Sequence, residues 1–198
     1  GEALQKLTYH DLLRASQACA SRLADAGVHP GDRIGLVAKT RPEWAIAFFG
    51  ILYAGATCVP VDPELDEGEI ERRLAHTGAE KALLGPDCEG AGEVAALDLV
   101  ELSEVPPRDA NPDEPEVLIS PDDVAAVVYT TGADSAPQPV EMTHLNFTTV
   151  LSSVSPLFQL RKRDSGRSVL PLHHAFELTC GLLLPLLRGA RVTYVDDV

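Results

Sequence analysis

Apolar residues in the first half of the chain alternate between two patterns. Some recur every three or four residues, which is typical of the buried stripe of an amphipathic helix. Others form short continuous runs, which are typical of strands buried on both faces of a sheet. The first kind includes Leu12, Ala15, Cys19 and Leu23, and the second includes the runs at 34–37, 57–61 and 82–84.

Local signals mark where these elements begin and end. Thr8 stands three residues before Asp11, which is the form of a capping box and predicts a helix start. Pro42 predicts the first turn of a second helix, which Gly55 ends. Trp44, Phe48 and Phe49 lie in that second helix, and we interpret them as core residues.

The same alternation resumes in the second half of the chain. It predicts a strand at 124–129, a helix at 143–157, a strand end at 169–170, an apolar helix at 176–187 and a strand at 191–195. Strands that alternate with helices predict βαβ units with right-handed crossovers. We therefore expect an α/β fold with a doubly wound, largely parallel sheet and helices on both faces.

The segment 101–123 differs from the rest, because prolines and acidic residues are scattered along it. Such a segment cannot bury much apolar surface. It is either a long surface connection or a boundary between two lobes. We favour the connection, and treat 1–198 as a single subdomain, because the α/β pattern continues beyond it. A further interpretation is that the segment is a docking strip for a protein partner.

Charge and cysteine usage narrow the possible functions. The formal net charge is -14, from 16 basic and 30 acidic residues, which argues against nucleic acid and anionic lipid as partners. The four cysteines show no C-x-x-C spacing, and Cys19 and Cys58 fall at apolar positions, so we expect buried free thiols and no metal site. No apolar run predicts a transmembrane segment or a signal peptide. We expect a cytoplasmic protein.

The richest chemical signal follows the strand at 124–129. Thr130, Thr131, Gly132, Ala133, Asp134 and Ser135 form a loop of small and hydroxylated residues. With a helix expected after it, such a loop suits a phosphate chain, because backbone N–H groups can approach the phosphate and hydroxyl groups can donate to it. Taken alone, the pattern is more often an ordinary turn.

The flanks of this loop resemble the phosphate loop of the AMP-forming acyl-activating family, which includes acyl-CoA synthetases, luciferases and peptide-synthetase adenylation domains. The family pattern is T-S-G-T-T-G-x-P-K-G-V-x-x-T-H-x-N. It is matched in register by Thr130, Gly132, Pro137, Val140, Thr143, His144 and Asn146. Similar family segments at 7–9, 27–34 and 54–63 extend the resemblance over essentially the whole chain, which implies the amino-terminal part of the acyl-CoA synthetase fold.

A second family motif lies at 170–177. His174 matches the family histidine that borders the carboxylate substrate, and Phe176 with Glu177 looks like the long-chain fatty acyl branch. The resemblance therefore implies His174, Phe176 and Glu177 as substrate residues, although His174 could equally pack or cap at a strand end. We expect His173 to be structural or exposed, and His144 and Asn146 to anchor the following helix. The leucines at 182–184 are either core or the lining of an acyl pocket.

The resemblance also implies the reaction. A carboxylate and ATP, with Mg²⁺, give an acyl-AMP, and the acyl group passes to coenzyme A or a carrier thiol. In such enzymes the adenine-binding motifs and the catalytic lysine lie further along the chain, so we expect those carboxy-terminal parts to lie outside these 198 residues. We expect the isolated chain to be inactive and to hold no cofactor tightly.

The centre of the loop departs from the family pattern. Ala133 lacks the hydroxyl group, and Ser135 and Pro139 replace glycines. Gln138 stands where the family has lysine. Asp134 brings a carboxylate to the loop, and its repulsion of a phosphate at about 5 Å is roughly 3 kcal/mol at an effective dielectric of about 20. Either this is a ligase in which Mg²⁺ bridges Asp134 to a phosphate, or it is a degenerate relative kept as an acyl-binding or protein-interaction module.

Overall fold

The computed structural model describes residues 6–107, 110, 117–130 and 137–194. Six strands form one sheet in the order β4-β3-β1-β2-β5-β6. They are β1 Arg33–Val37, β2 Thr57–Val61, β3 Lys81–Leu84, β4 Ala95–Asp98, β5 Val124–Tyr129 and β6 Pro139–Thr143. Every neighbouring pair is parallel except β5 and β6. The predicted largely parallel α/β sheet is therefore confirmed.

The helices connect these strands. They are α1 Tyr9–Asp25, α2 Pro42–Tyr53, α3 Glu67–Thr77, the short α4 Leu99–Leu102 and α5 His144–Val154. A π-helical segment, Glu177–Leu183, continues into α6, Leu184–Leu187. Thr8 and Asp11 form the predicted capping box of α1, and Gly78 ends α3 in the left-handed conformation that favours glycine, with φ 75°. No helix in the described part of the chain is long and apolar enough to span a membrane.

Apolar side chains fill both faces of the sheet. On β2, Cys58 points into the core under α1 and α2, while Val59 and Val61 point into the core under α3. Trp44 is fully buried, and its ring stacks on that of Phe48 at a centroid distance of 5.5 Å. The prediction of a core role for this aromatic group is confirmed.

The cysteines at apolar positions are buried, as the sequence predicts. Cys19 and Cys58 are 0% exposed, and all four cysteines are free thiols. Burial raises the pKa of the Cys19 thiol to about 12 and raises that of Cys58 as well. Both thiols therefore stay protonated and act as small apolar core residues.

Two strands differ from the prediction. The helix expected at 143–157 is present as α5, but β6, which the sequence did not predict, comes before it. Pro139 argues against a strand in the sequence, since proline cannot donate to a β-ladder. β6 tolerates this proline because β6 is the outermost strand of the sheet. A strand end was expected at 169–170, but the strand, β7, is Ser165–Ser168 and ends before these residues. It pairs with β8, Arg191–Tyr194, in a separate two-stranded sheet.

The described beginning of the acidic, proline-rich segment lies along α1. Arg22 donates from Nη1 to the carbonyl oxygens of Leu102 and Glu104, each at 3.1 Å. Arg14 donates to the carbonyl oxygens of Pro107 and Ala110, the latter at 2.6 Å. Two arginines of one helix thus hold the backbone of this segment against the fold.

Candidate active site at the carboxyl edge of the sheet

The parallel strands β1, β2, β3 and β5 have their carboxyl ends on the same side of the sheet. We call this side the carboxyl edge; it is distinct from the outer strand β6. In open α/β sheets, ligands bind outside the carboxyl ends of the strands. Thr40 follows β1, Asp62 follows β2 and Thr130 follows β5. The expected phosphate loop therefore starts at the edge where this fold can hold a ligand.

The base of the phosphate loop is closed as a hairpin. Thr130 donates from its backbone nitrogen to the carbonyl oxygen of Gln138 at 3.0 Å, and its hydroxyl group donates to the same oxygen at 3.3 Å. Below this closure, Tyr129 pairs with Pro139. The remaining predicted loop residues, Thr131, Gly132, Ala133, Asp134 and Ser135, lie outside the described residues.

The helix that follows the loop does not point its amino terminus at the loop. β6 runs antiparallel to β5 and returns the chain to the opposite edge, where Thr143 pairs with Val124. The 5 residues of β6 span about 16 Å. The expected strand–loop–helix arrangement is therefore wrong, because an antiparallel strand separates the loop from the dipole of α5.

Asn146 anchors α5, as the sequence predicts. The Thr143 hydroxyl group accepts from the Asn146 backbone nitrogen at 3.1 Å, and Asn146 Oδ1 accepts from the Thr143 nitrogen at 2.9 Å. His144, the first residue of α5, donates its backbone nitrogen to the Asp123 carbonyl oxygen. Burial lowers the pKa of its side chain, and Asp123 partly opposes the shift. Both family-matched residues thus lie at the edge opposite the loop.

The second motif, in contrast, docks at the carboxyl edge. The Leu172 backbone nitrogen donates to Thr40 Oγ1 at 3.1 Å, and that hydroxyl group donates to the Leu170 carbonyl oxygen at 3.4 Å. His173 places Nε2 3.8 Å from Asp62 Oδ2. The structure therefore brings residues 170–174 to the same edge as the start of the phosphate loop.

The three predicted substrate residues have different surroundings. His174 is half-buried, with its ring centroid 4.3 Å from that of His173. The Phe176 side chain is 65% exposed. Glu177 is buried and accepts a hydrogen bond from the Ser168 hydroxyl group at 2.6 Å. Only His174 lies in the part of the motif that contacts the carboxyl edge.

Glu177 instead faces the small β7–β8 sheet. Besides its bond to Ser168, its negative charge adds to burial in raising the pKa of Tyr194 on β8. The next turn of the helix is closely packed here, since a Cβ atom at Gly181 would collide with the Glu177 carboxylate. Nearby, Leu182 is 1% exposed and belongs to the main apolar core, which confirms the core interpretation for that leucine.

Sequence reasoning missed two features of this edge. Arg73 of α3 lies over the Tyr129 ring, 5.1 Å from its centroid, and Tyr129 donates its hydroxyl hydrogen to the Arg73 carbonyl oxygen at 2.8 Å. His173 was expected to be structural or exposed; its side chain is only 10% exposed, which agrees with the structural alternative, but its partner Asp62 was not foreseen. Burial is the main reason that its pKa falls from 6.5 to about 4; His174 and Arg73 lower it further, while Asp62 opposes the shift. No local pattern signals either feature, since both join distant parts of the chain.

The family model described as AMP-binding enzyme matches residues 2–198. A feruloyl-CoA synthase from Amycolatopsis is 35% identical over 189 residues, which are 94% of this chain and 38% of that enzyme. The long-chain-fatty-acid–CoA ligase FadD13 of Mycobacterium tuberculosis is 26% identical over 200 residues, which are 93% of this chain and 39% of that ligase.

A solved structure shows the same fold. The o-succinylbenzoate coenzyme A synthetase of Bacillus subtilis, solved in complex with AMP, superposes with a TM-score of 0.86 at 23% identity. The match covers 100% of this chain and 51% of that one. The chain therefore spans about two fifths of the curated relatives and half of the solved one.

Proposed function

Because this chain belongs to the AMP-binding enzyme family, we propose that it is the amino-terminal part of an ATP-dependent ligase that makes acyl-AMP and then a thioester. The observation that carries the proposal is the docking of the motif at 170–174 on the sheet edge where the phosphate-loop hairpin closes. One edge thus holds the two segments that the reaction must bring together, one for the nucleotide and one for the carboxylate.

The proposed chemistry has two steps. In the first, a carboxylate oxygen attacks the α-phosphorus of ATP, the bond to the bridging oxygen breaks, and pyrophosphate leaves with the electron pair. In the second, the deprotonated sulfur of coenzyme A or a carrier thiol attacks the acyl carbon, the bond from that carbon to the phosphate oxygen breaks, and AMP leaves with the electron pair. Both steps need charge stabilisation at the phosphate more than they need a base. We assign the loop from Thr130 to Ser135 to the phosphates and His174 to the border of the carboxylate.

Mg²⁺ normally accompanies ATP, and is held by substrate phosphates and one or two carboxylates. Among the described residues, no group of three or more histidine, cysteine, aspartate or glutamate side chains is placed to hold a metal ion. None of the described residues is therefore assigned to Mg²⁺.

For the substrate, we propose a fatty acid. The support is the Phe176-Glu177 ending of the second motif, together with the relation to a ligase named for long-chain fatty acids. The relative named for feruloyl-CoA makes an aromatic carboxylic acid the alternative. We place the reaction in the cytoplasm, where buried thiols such as Cys19 and Cys58 stay reduced.

The test is pyrophosphate release by the whole protein with Mg·ATP and a panel of fatty and aromatic acids. We expect release with fatty acids and no release from the isolated 198-residue chain. Acyl-AMP made by the isolated chain would overturn the assignment to a part of a ligase. Release with aromatic acids alone would overturn the proposed substrate.

The departures at the centre of the loop favour a second candidate function, a non-catalytic acyl-binding or protein-interaction module. Asp134, Gln138 and Pro139 all weaken a phosphate site, and the net charge of -14 gives no general attraction for ATP. The decisive variant restores the family residues, Asp134→Thr, Ser135→Gly, Gln138→Lys and Pro139→Gly. If only the restored protein turns over, the natural loop has lost adenylation; if the unrestored protein already turns over, this second candidate fails.

A further inference from the structure

We propose that Asp62 and His173 form a positioning pair that, with Thr40, holds the loop 169–174 on the carboxyl edge and so fixes the place of His174. This inference rests on the proposed function, because the place of His174 matters for turnover only if the protein activates a carboxylate. The pair itself is visible in the fold and can be tested without turnover.

The loop crosses the ends of two adjacent strands. Thr40, just after β1, binds its backbone through the Leu172 nitrogen and the Leu170 carbonyl oxygen. Leu172 also inserts its side chain into the main core, where it is 1% exposed. The next residue, His173, reaches Asp62 just after β2. The backbone is thus held at one strand end and the side chain at its neighbour.

The contact of His173 with Asp62 is shielded from solvent. The two side chains are 10% and 32% exposed, and Nε2 lies 3.8 Å from Oδ2. This separation is longer than a direct hydrogen bond, so in the unliganded protein the carboxylate attracts the ring as a charge attracts a dipole. The His174 ring packs against the His173 ring, at 4.3 Å between ring centroids. A change in the orientation of His173 therefore displaces His174.

Burial favours a neutral His173 imidazole beside the Asp62 carboxylate. Asp62 faces it from the end of β2, His174 from its own loop and Arg73 from α3, and burial holds the pKa of His173 near 4. At neutral pH, a neutral ring with its hydrogen on Nε2 can donate to Asp62, as imidazoles oriented by carboxylates do. The carboxylate then fixes both the tautomer and the direction of the ring.

The protein offers a matched control. His29 Nδ1 also lies 3.8 Å from an aspartate oxygen, Asp32 Oδ2, but these side chains are 78% and 42% exposed. That pair precedes β1 and therefore lies at the opposite edge of the sheet. The His29–Asp32 pair thus has the same residue types and the same separation as the His173–Asp62 pair, but it is exposed and lies away from the carboxyl edge.

The experiment compares His173→Phe, His173→Gln, Asp62→Asn and the double variant Asp62→Asn/His173→Phe with the control His29→Phe in the whole protein. The first readout is hydrogen–deuterium exchange of the unliganded protein at residues 169–174. We expect exchange in His173→Phe and Asp62→Asn to rise by about tenfold. His173→Gln keeps an N–H donor and should keep most of the protection. The control should match the wild type.

The second readout is adenylation. His173→Phe and Asp62→Asn should each lower kcat by about tenfold with KM for ATP unchanged, and the double variant should lose no more than either single variant. Unchanged exchange in both single variants, or single losses that multiply in the double variant, would overturn the pair. If the wild type makes no acyl-AMP, the proposed function fails, and the exchange data alone decide whether the pair exists.

Discussion

The buried hydrogen bond between Ser168 and Glu177 allows a structural role for Glu177 to be separated from a role in substrate binding. The two side chains are 1% and 5% exposed, and their oxygens are 2.6 Å apart. A hydrogen bond to a charged group contributes about 1.5–3 kcal/mol, and a buried acceptor that loses its partner costs a similar amount. We therefore expect Ser168→Ala to lower the free energy of unfolding by about 2 kcal/mol.

Two further variants complete this prediction. Glu177→Gln keeps an acceptor for the Ser168 hydroxyl group and should cost less than about 1 kcal/mol, whereas Glu177→Ala also leaves a cavity and should cost at least as much as Ser168→Ala. Ser165→Ala is the control, since Ser165 lies on the same strand, β7, but is exposed.

The assay is urea unfolding, followed by the fluorescence of Trp44, the single tryptophan of the sequence, or by circular dichroism. A loss of about 2 kcal/mol corresponds to a fall of about 1 M in the urea midpoint at a typical slope. Turnover of the whole protein, measured well below the midpoint, should change by less than about twofold in Ser168→Ala and Glu177→Gln. The reasoning would be refuted if Glu177→Gln kept its midpoint and lost turnover, because Glu177 would then act on the substrate.

Three further predictions concern the pH response, the helix interface and the charge at the site. Burial lowers the pKa of His173 from 6.5 to about 4, so on acidification the unfolded chain binds this proton before the folded chain does. The contribution to the free energy of unfolding is complete above the unfolded pKa and should fall by about 2 kcal/mol between about pH 7 and about pH 4.5. Urea midpoints measured against pH should lack this component in His173→Phe. Gly50→Ala would bring a Cβ atom 2.6 Å from Cys19 Sγ and 2.7 Å from Cys19 Cβ. It should destabilise the packing of α1 on α2 by about 1–3 kcal/mol. If that collision is the cause, unfolding of the double variant Gly50→Ala/Cys19→Gly should show that part of the lost stability is recovered. Glu69→Gln removes the carboxylate partner of Arg73 beside the base of the phosphate loop. Calorimetric titration should then show Mg·ATP binding strengthened by about threefold at low salt, with a smaller gain at high salt. An equal gain at the two salt concentrations would contradict an electrostatic cause.

Elements set by local signals could be predicted from the sequence. The capping box of α1 needs only Thr8 and Asp11. Thr143 and Asn146, also three positions apart, form the same box at the start of α5. The parallel strands are continuous apolar runs because both of their faces are covered, as the opposite directions of Cys58 and Val59 show. In each case the determining interaction is local or follows from the periodicity of burial.

Features that depend on distant contacts could not be predicted in this way. β6 contains Pro139, and only its place at the edge of the sheet makes a proline acceptable there. His173 and Asp62 are far apart in the sequence and meet only because the loop crosses the ends of β1 and β2. The resemblance directed attention to His174, while the contact that holds its loop lies one residue earlier.

The arrangement of charge at the carboxyl edge limits how a nucleotide can be held there. Basic side chains that follow β1 or lie on α3 already contact carboxylates: Lys39 with Glu64 at 3.7 Å, Arg41 with Glu43 at 3.0 Å and Arg73 with Glu69 at 2.8 Å. Their charge is therefore partly compensated before a triphosphate arrives. The family lysine is replaced by Gln138, and α5 directs its amino terminus to the other edge. Within these 198 residues, attraction for ATP is then left to backbone N–H groups of the loop and to Mg²⁺ brought with the nucleotide. Mg·ATP binding is consequently the property that separates a working ligase from an acyl-binding relative, since both would keep the fold and the docked histidine loop.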